Sequence, residues 1–203
     1  MIYIVDYGIG NLGSIENIIL RTGGEVRISS NPTEIEKATK LILPGVGNFD
    51  YGMKKLKESG LNELIEQKAL NEKIPTLGIC LGAQMMCKSS EEGIEPGLGW
   101  FDANVKKFDF LDNAQLRVPH MGWNFVKIKK ESLVAKDLAE NSRFYFVHSY
   151  HMLPNVKEDL LFETSYGYNF ASGLQRENLY ALQFHPEKSH SFGKQIFKNF
   201  INL

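Results

Sequence analysis

Cysteine is scarce in this chain. Among 203 residues only Cys80 and Cys87 occur, seven positions apart and without the close C-x-x-C spacing of a zinc site or redox pair. A disulfide framework is therefore excluded as the basis of the fold. Charge of one sign is equally lacking, since 23 Lys+Arg against 24 Asp+Glu leave a net charge of −1. Such a balance supplies no long-range field for nucleic acid or an anionic membrane, and the small basic group Lys127, Lys129 and Lys130 reads as the solvated face of a strand. Long apolar runs are missing too. None approaches the roughly 18 residues of a membrane span, and no basic leader opens the chain. With 43% hydrophobic and 23% charged residues, the expectation is a folded cytoplasmic enzyme or binding protein that engages neither nucleic acid nor membrane.

What is present is strand–helix alternation. Apolar runs at Ile2–Val5, Val26–Ser29, Leu41–Leu43 and Thr76–Ile79 read as strands. Ile15, Ile18, Ile19 and Thr22 share one helical face, and a second helical pattern covers about Leu61 to Leu70. The later part is richer in strands, at Ala103–Phe108, Trp123–Ile128, Phe144–Val147, Leu160–Thr164, Phe170–Gln175 and Tyr180–Gln183. A last helix puts Phe192, Ile196, Phe197, Phe200 and Ile201 on its core face. No repeat, linker or low-complexity tract interrupts this. The pattern predicts one α/β domain over residues 1–203, with a central mixed, mostly parallel sheet flanked by helices. Its site belongs in the loops after the strands.

GIGNLG, with Gly8, Gly10 and Gly13 after the first strand, resembles half of a dinucleotide fingerprint. The acidic residue that would hold the ribose is absent: the second strand ends in Ile28-Ser29-Ser30-Asn31, and Glu34 follows only after Pro32. No cofactor is expected. The segment DYGIGN reads instead as a tight loop at the end of the first strand, beside PGVG.

GICLG places Cys80 between Gly78 and Gly82 where a strand turns into a helix. This is a nucleophile-elbow pattern carrying cysteine. Glycines two residues either side relieve a turn that exposes the sulfur, the helix N-terminus favours thiolate, and the Leu81 N–H becomes an oxyanion donor. By itself the pattern fits a buried structural cysteine equally well, which is the reading for Cys87. The difference lies in QFHPEKS, where His185 and Glu187 follow another strand. Two residues apart in an extended segment, they point the same way, so Glu187 orients an imidazole whose other nitrogen faces the thiol. A Cys-His-Glu set at strand ends suits nucleophilic acyl transfer. Pro44-Gly45-Val46-Gly47, after a further strand, brings a backbone N–H of Val46 or Gly47 opposite Leu81. No metal site is expected.

Together, PGVG, GICLGAQ, PHMGWN, FVHSYH and QFHPEKS resemble the class I, triad-type glutamine amidotransferases. Within them the chain looks like the glutaminase subunits of imidazole glycerol phosphate synthase. Ala83, where methionine is common, and His151, where another aromatic is frequent, depart from the pattern without touching the triad. The resemblance implies Cys80 as nucleophile on L-glutamine, His185 as proton shuttle and Glu187 as its orienter, with Gly45, Gln84, Ser149 and Tyr150 holding the amino-acid head. It also implies ammonia delivery to a (β/α)8-barrel cyclase subunit in a heterodimer, docked at Met121, Gly122, Trp123 and Asn124, with Asn11 beside the ammonia path. A buried core role is the competing reading of Trp123. Two rival readings are a paralogue feeding a sugar amidotransferase in surface-polysaccharide biosynthesis and a non-catalytic module keeping an elbow cysteine.

Overall fold

The computed structural model describes residues 1–110 and 116–203. In chain order its strands and helices are β1 (Ile2–Val5), α1 (Leu12–Arg21), β2 (Val26–Ser29), α2 (Pro32–Ile35), β3 (Lys40–Leu43), α3 (Phe49–Glu58), α4 (Asn62–Glu66), β4 (Thr76–Ile79), α5 (Leu81–Met85), β5 (Ser89–Ser90), β6 (Ala103–Lys107), β7 (His120–Phe125), β8 (Lys127–Ile128), β9 (Arg143–His148), β10 (Tyr150–Pro154), β11 (Leu160–Tyr166), β12 (Tyr168–Arg176), β13 (Leu179–Leu182) and α6 (His190–Ile201). The main sheet runs β2-β1-β3-β4-β13-β12-β10-β6-β5, with β11 on β12 and β8 on β11. Its first five strands are mutually parallel, and the strands beyond pair antiparallel except for β5 with β6. The sheet is mixed, as expected, but its parallel character is concentrated in that contiguous run. β7 and β9 form a separate two-stranded sheet, so the expected strand Trp123–Ile128 is divided between two sheets.

Helices cover both faces of the parallel run, which is why its inner strands β1, β3, β4 and β13 are buried without alternation. Ile2 and Ile4 pack with Ile15, Ile19, Ile196 and Phe197. The intervening Tyr3 and Val5 face the opposite way, onto Met53, Leu56 and Ile65. Each such buried side chain contributes about 1.5–3 kcal/mol over an exposed one. Phe200 joins the first face fully buried, while Phe192 and Ile201 sit at its margin. Cys87 is wholly buried, and burial pushes its thiol pKa up.

Some expectations need correction. Helix α3 went unread because Gly52 interrupts its apolar pattern and Asn48, its N-cap, follows PGVG directly; the Asn48 side chain accepts from Tyr51 N at 3.1 Å. A Cβ at Gly52 would stand 2.9 Å from Leu81 Cδ2, so the glycine is what lets α3 close on α5. The helix expected to Leu70 continues past α4 as a π turn over Gln67–Asn71. Lys127 and Lys129 are exposed, but Lys130 is half-buried and donates to the carbonyls of Glu158 and Gln175, each at 2.6 Å. It therefore ties loop and strand together and is no part of a solvated face.

Candidate active site

Four loops at the carboxyl ends of β1, β3, β4 and β13 converge. Their approach is close enough to demand glycine. A Cβ on Gly82 would lie 1.9 Å from Leu43 O, and one on Gly45 would lie 2.7 Å from Gly82 N. Gly10 meets the Pro44 ring at 3.1 Å in the same sense. The Tyr7 hydroxyl donates to Pro44 O at 2.5 Å. Burial, with a smaller effect from Cys80, pushes the Tyr7 pKa up and keeps it a neutral donor. DYGIGN is thus a packing element of the PGVG loop rather than a phosphate cradle.

Cys80 takes φ +53 and ψ −109, a left-handed-side conformation that a side chain rarely adopts. Strain of this kind costs on the order of 1–3 kcal/mol and is held by its surroundings. Here the Cys80 N–H bonds to Leu182 O at 2.7 Å, and Gly78 is packed against Ala83 and Met86. Helix α5 begins at Leu81, directly after the cysteine, and has only five residues.

His185 and Glu187 side chains are almost wholly buried, with His185 Nδ1 2.7 Å from Glu187 Oε1. The contact arises otherwise than expected. His185 is extended, but Pro186–Lys188 is a 3-10 turn, so chain reversal, and not strand alternation, carries Glu187 back to the ring. A Cβ on Gly193 of α6 would fall 1.8 Å from Pro186 O, which shows how tightly that turn is seated. Burial alone would lower the His185 pKa; interaction with Cys80 and with Glu187 outweighs it and raises the pKa above the ordinary imidazole value. His185 Nε2 and Glu187 Oε2 have no hydrogen-bond partner among the described residues.

Cys80 and His185 open into one cavity of about 490 Å³. Val46, Gly47, Leu81, Gln84, Ser149 and Tyr150 also line it, which brings together most of the residues expected from sequence. Neither the Val46 nor the Gly47 N–H is engaged among the described residues. Among the expected oxyanion and glutamine-binding residues, Gly45 is the exception. It is buried beneath the loop against α5 and does not line the cavity. Sequence reading missed Asn48, Glu92 and His148, which do. Glu92 accepts from Phe49 N at 2.8 Å, capping α3 from afar, a contact between segments 43 positions apart that no local pattern signals. Gln183, wholly buried and within 4.0 Å of Cys80 Sγ, was also missed, although it stands in the quoted motif QFHPEKS.

Met121 and Trp123 of β7 are 62% and 42% exposed, and Phe125 is 56% exposed. Trp123 is therefore not a core residue; its ring stacks on His190 at 5.4 Å between centroids. Gly122, at φ +124, lies between them. Asn124 is half-buried and turned inward, with Nδ2 bonded to Ser165 O and His120 Nε2. Asn11 is exposed and its side chain caps nothing. No group of three or more His, Cys, Asp or Glu among the described residues is placed to hold a metal ion. No helix there is long and apolar enough to cross a membrane.

A sulfur on a strained strand-to-helix turn, beside an imidazole oriented by a carboxylate, is the arrangement of a cysteine acyl-transfer enzyme. Residues 3–203 match the family described as glutamine amidotransferase class-I. The chain belongs to that family. It is 47% identical over its full length, and over the full length of the relative, to imidazole glycerol phosphate synthase subunit HisH 2 of Pseudomonas aeruginosa. It is 50% identical to the subunit of the same name from Methanococcus maripaludis, covering 99% of this chain and 98% of the relative. Among solved structures, a GMP synthase subunit from Thermoplasma acidophilum superposes with a TM-score of 0.73 at 25% identity, over 99% of this chain and 92% of that one. As a class I amidotransferase the chain is an enzyme acting on glutamine, so an elbow cysteine without catalysis is no longer a competing reading.

Proposed function

We propose that this chain is the glutaminase subunit of an imidazole glycerol phosphate synthase, hydrolysing glutamine and passing ammonia to a (β/α)8-barrel cyclase subunit in histidine biosynthesis. The reading is carried by the Cys80, His185 and Glu187 set at the head of the parallel strands, in a chain so similar along its whole length to subunits of that synthase. Cys80 Sγ, its proton passed to His185 Nε2, attacks the glutamine carboxamide carbon, and the negative charge on its oxygen is met by N–H groups of Leu81 and of the Val46–Gly47 loop. One such donor is worth about 3–4 kcal/mol of transition-state stabilisation. His185 Nε2 gives its proton to the departing ammonia, leaving a γ-glutamyl thioester, and then takes one from the water that releases glutamate. Glu187 holds the ring and balances the imidazolium.

Glu92 is the carboxylate on the cavity wall, and it supplies the charge that the substrate's ammonium requires. Gln84, Ser149 and Tyr150 complete the amino-acid subsite, while Gly45 supports the loop from below. Free ammonia is mostly protonated in water, so a glutaminase of this type gains from direct transfer to a second site. Met121 and Trp123, exposed on β7 beside the half-buried Gly122 and Asn124, offer the docking face, with Asn11 near the transfer path. A cytoplasmic setting suits this biosynthetic role.

The test is Cys80→Ala in complex with the cyclase subunit. Glutamine-dependent synthesis is expected to vanish and ammonia-dependent synthesis to persist; continued glutamine consumption refutes the triad. A second reading keeps the chemistry and changes the acceptor, to a sugar amidated in surface-polysaccharide biosynthesis. Co-purification of a synthase partner, identified by mass, separates the two.

A further inference from the structure

The glutaminase reading leaves Gln183 without a task. Its side chain is wholly buried at the end of β13, two residues before His185. A buried carboxamide carries donors and an acceptor, each costing about 1–3 kcal/mol if left unpaired, so its bonds report what fixes it. They form a chain with a definite direction. Tyr150 O can only accept, so Gln84 Nε2, 3.0 Å away, donates to it. The same Nε2 lies 3.0 Å from Gln183 Oε1, which accepts its other hydrogen. With Oε1 committed, Gln183 turns Nε2 towards Cys80 Sγ at 4.0 Å. The acceptor left over on Gln84, a cavity-wall residue, is Oε1, the polarity that suits a substrate ammonium.

We propose that Gln183 is a positioning residue of this site: one carboxamide orients Gln84 for the substrate's amino-acid head and donates to the sulfur of Cys80. Binding and nucleophile are thereby held by the same side chain. The far end of the chain is anchored as well. Tyr150 O also accepts from His148 Nδ1 at 2.7 Å, which leaves His148 Nε2 to accept from His120 Nδ1 at 2.9 Å. His120 Nε2 in turn accepts from Asn124 Nδ2 at 3.1 Å on β7. The carbonyl that orients Gln84 therefore has a fixed position of its own.

The inference rests on the glutaminase reading, and the experiment separates the two. Gln183→Met preserves volume and removes both polar contacts. In complex with the cyclase subunit, its KM for glutamine is expected to rise about three- to tenfold, the range of one lost hydrogen bond. The pH profile of Cys80 alkylation by iodoacetamide should move to higher pH, because a thiolate loses a donor. Cys87, wholly buried, does not compete. In a Gln84→Met background, Gln183→Met should no longer change KM but should still displace the alkylation profile. A purely structural role would lower thermal stability and leave both readouts in place. Gln183→Asn, which keeps an amide but withdraws it by one methylene, is the second variant should the first not fold, with the same directions expected. A folded variant in which either readout matches wild type overturns the proposal. Wild-type complex that fails to hydrolyse glutamine overturns the glutaminase reading instead, and the alkylation profile still tests the link from Gln183 to Cys80.

Discussion

Gly82→Ala adds one methyl group where the site is most crowded. Its Cβ would stand 1.9 Å from Leu43 O, whereas ordinary contact begins near 3.4 Å, so backbone must retreat by about 1.5 Å. Leu43 leads directly into Pro44 and the PGVG loop, and Gly82 follows Cys80 by two residues, so the displacement falls on the oxyanion donors or on the nucleophile. Overpacking of this kind costs about 1–3 kcal/mol, which for a chain of this size lowers Tm by roughly 2–12 °C. Catalysis is the more sensitive quantity, because misplacement by about 1 Å costs on the order of a hundredfold. The expected result is a folded protein with kcat/KM for glutamine reduced about a hundredfold or more, measured as glutamate release in the partner complex beside a thermal melt. Gly13→Ala is the control. It lies in α1 with nothing within 4 Å of a new Cβ, so it should gain about 0.5–1 kcal/mol in stability and keep full activity. Wild-type activity in Gly82→Ala would refute the close-approach reasoning.

Glu187→Gln keeps the shape of the His185 contact and removes its charge, so kcat/KM should fall by about 10²–10⁴-fold with little change in fold; a loss under tenfold in steady-state assays argues against the triad. His120 and His148 have pKa values lowered by burial to about 4 and about 3. The unfolded chain therefore binds protons first as pH falls. Their stabilisation is complete above about 6.5 and is lost progressively below it, by roughly a few kcal/mol in all. His185, raised, contributes in the opposite sense, with stability complete below about 6.5 and lost as pH rises through its folded pKa. Thermal melts from about pH 7 to 4.5 should show a steep fall in Tm, and a flat profile contradicts the buried neutral histidines. Trp123→Ala removes the largest exposed aromatic of β7 and should weaken cyclase binding about 30-fold, or 2 kcal/mol, by calorimetry, leaving thermal stability nearly unchanged; undiminished affinity relocates the docking face.

Local pattern carried what is local. The first four strands emerged with boundaries within one residue; β1, β3 and β4, covered on both faces, read as nearly unbroken apolar runs, while β2, at the sheet edge, keeps Arg27 exposed. The elbow at Cys80 was legible because Gly78 and Gly82 flank it, and the fate of GIGNLG was decided by an acid missing after the second strand. Helix α3 escaped, since the feature that makes it pack, Gly52 against Leu81, is the one that spoils its periodicity. Strand β10 escaped because its pairing with β6 and β12 supplies what its own sequence does not.

Which residues carry the chemistry was therefore written in the chain: a cysteine between glycines and a histidine two residues before a glutamate. How they meet was decided in three dimensions. Glu187 reaches His185 through a turn seated on Gly193, Gly45 lies under the loop instead of on the cavity wall, Glu92 arrives from a distant segment, and His148 and Gln183 are turned into the site by partners far away in sequence. The reason is physical. Elbow strain and strand burial are set by neighbours along the chain, whereas the pairing of a buried polar group depends on whatever side chain the packed sheet brings beside it.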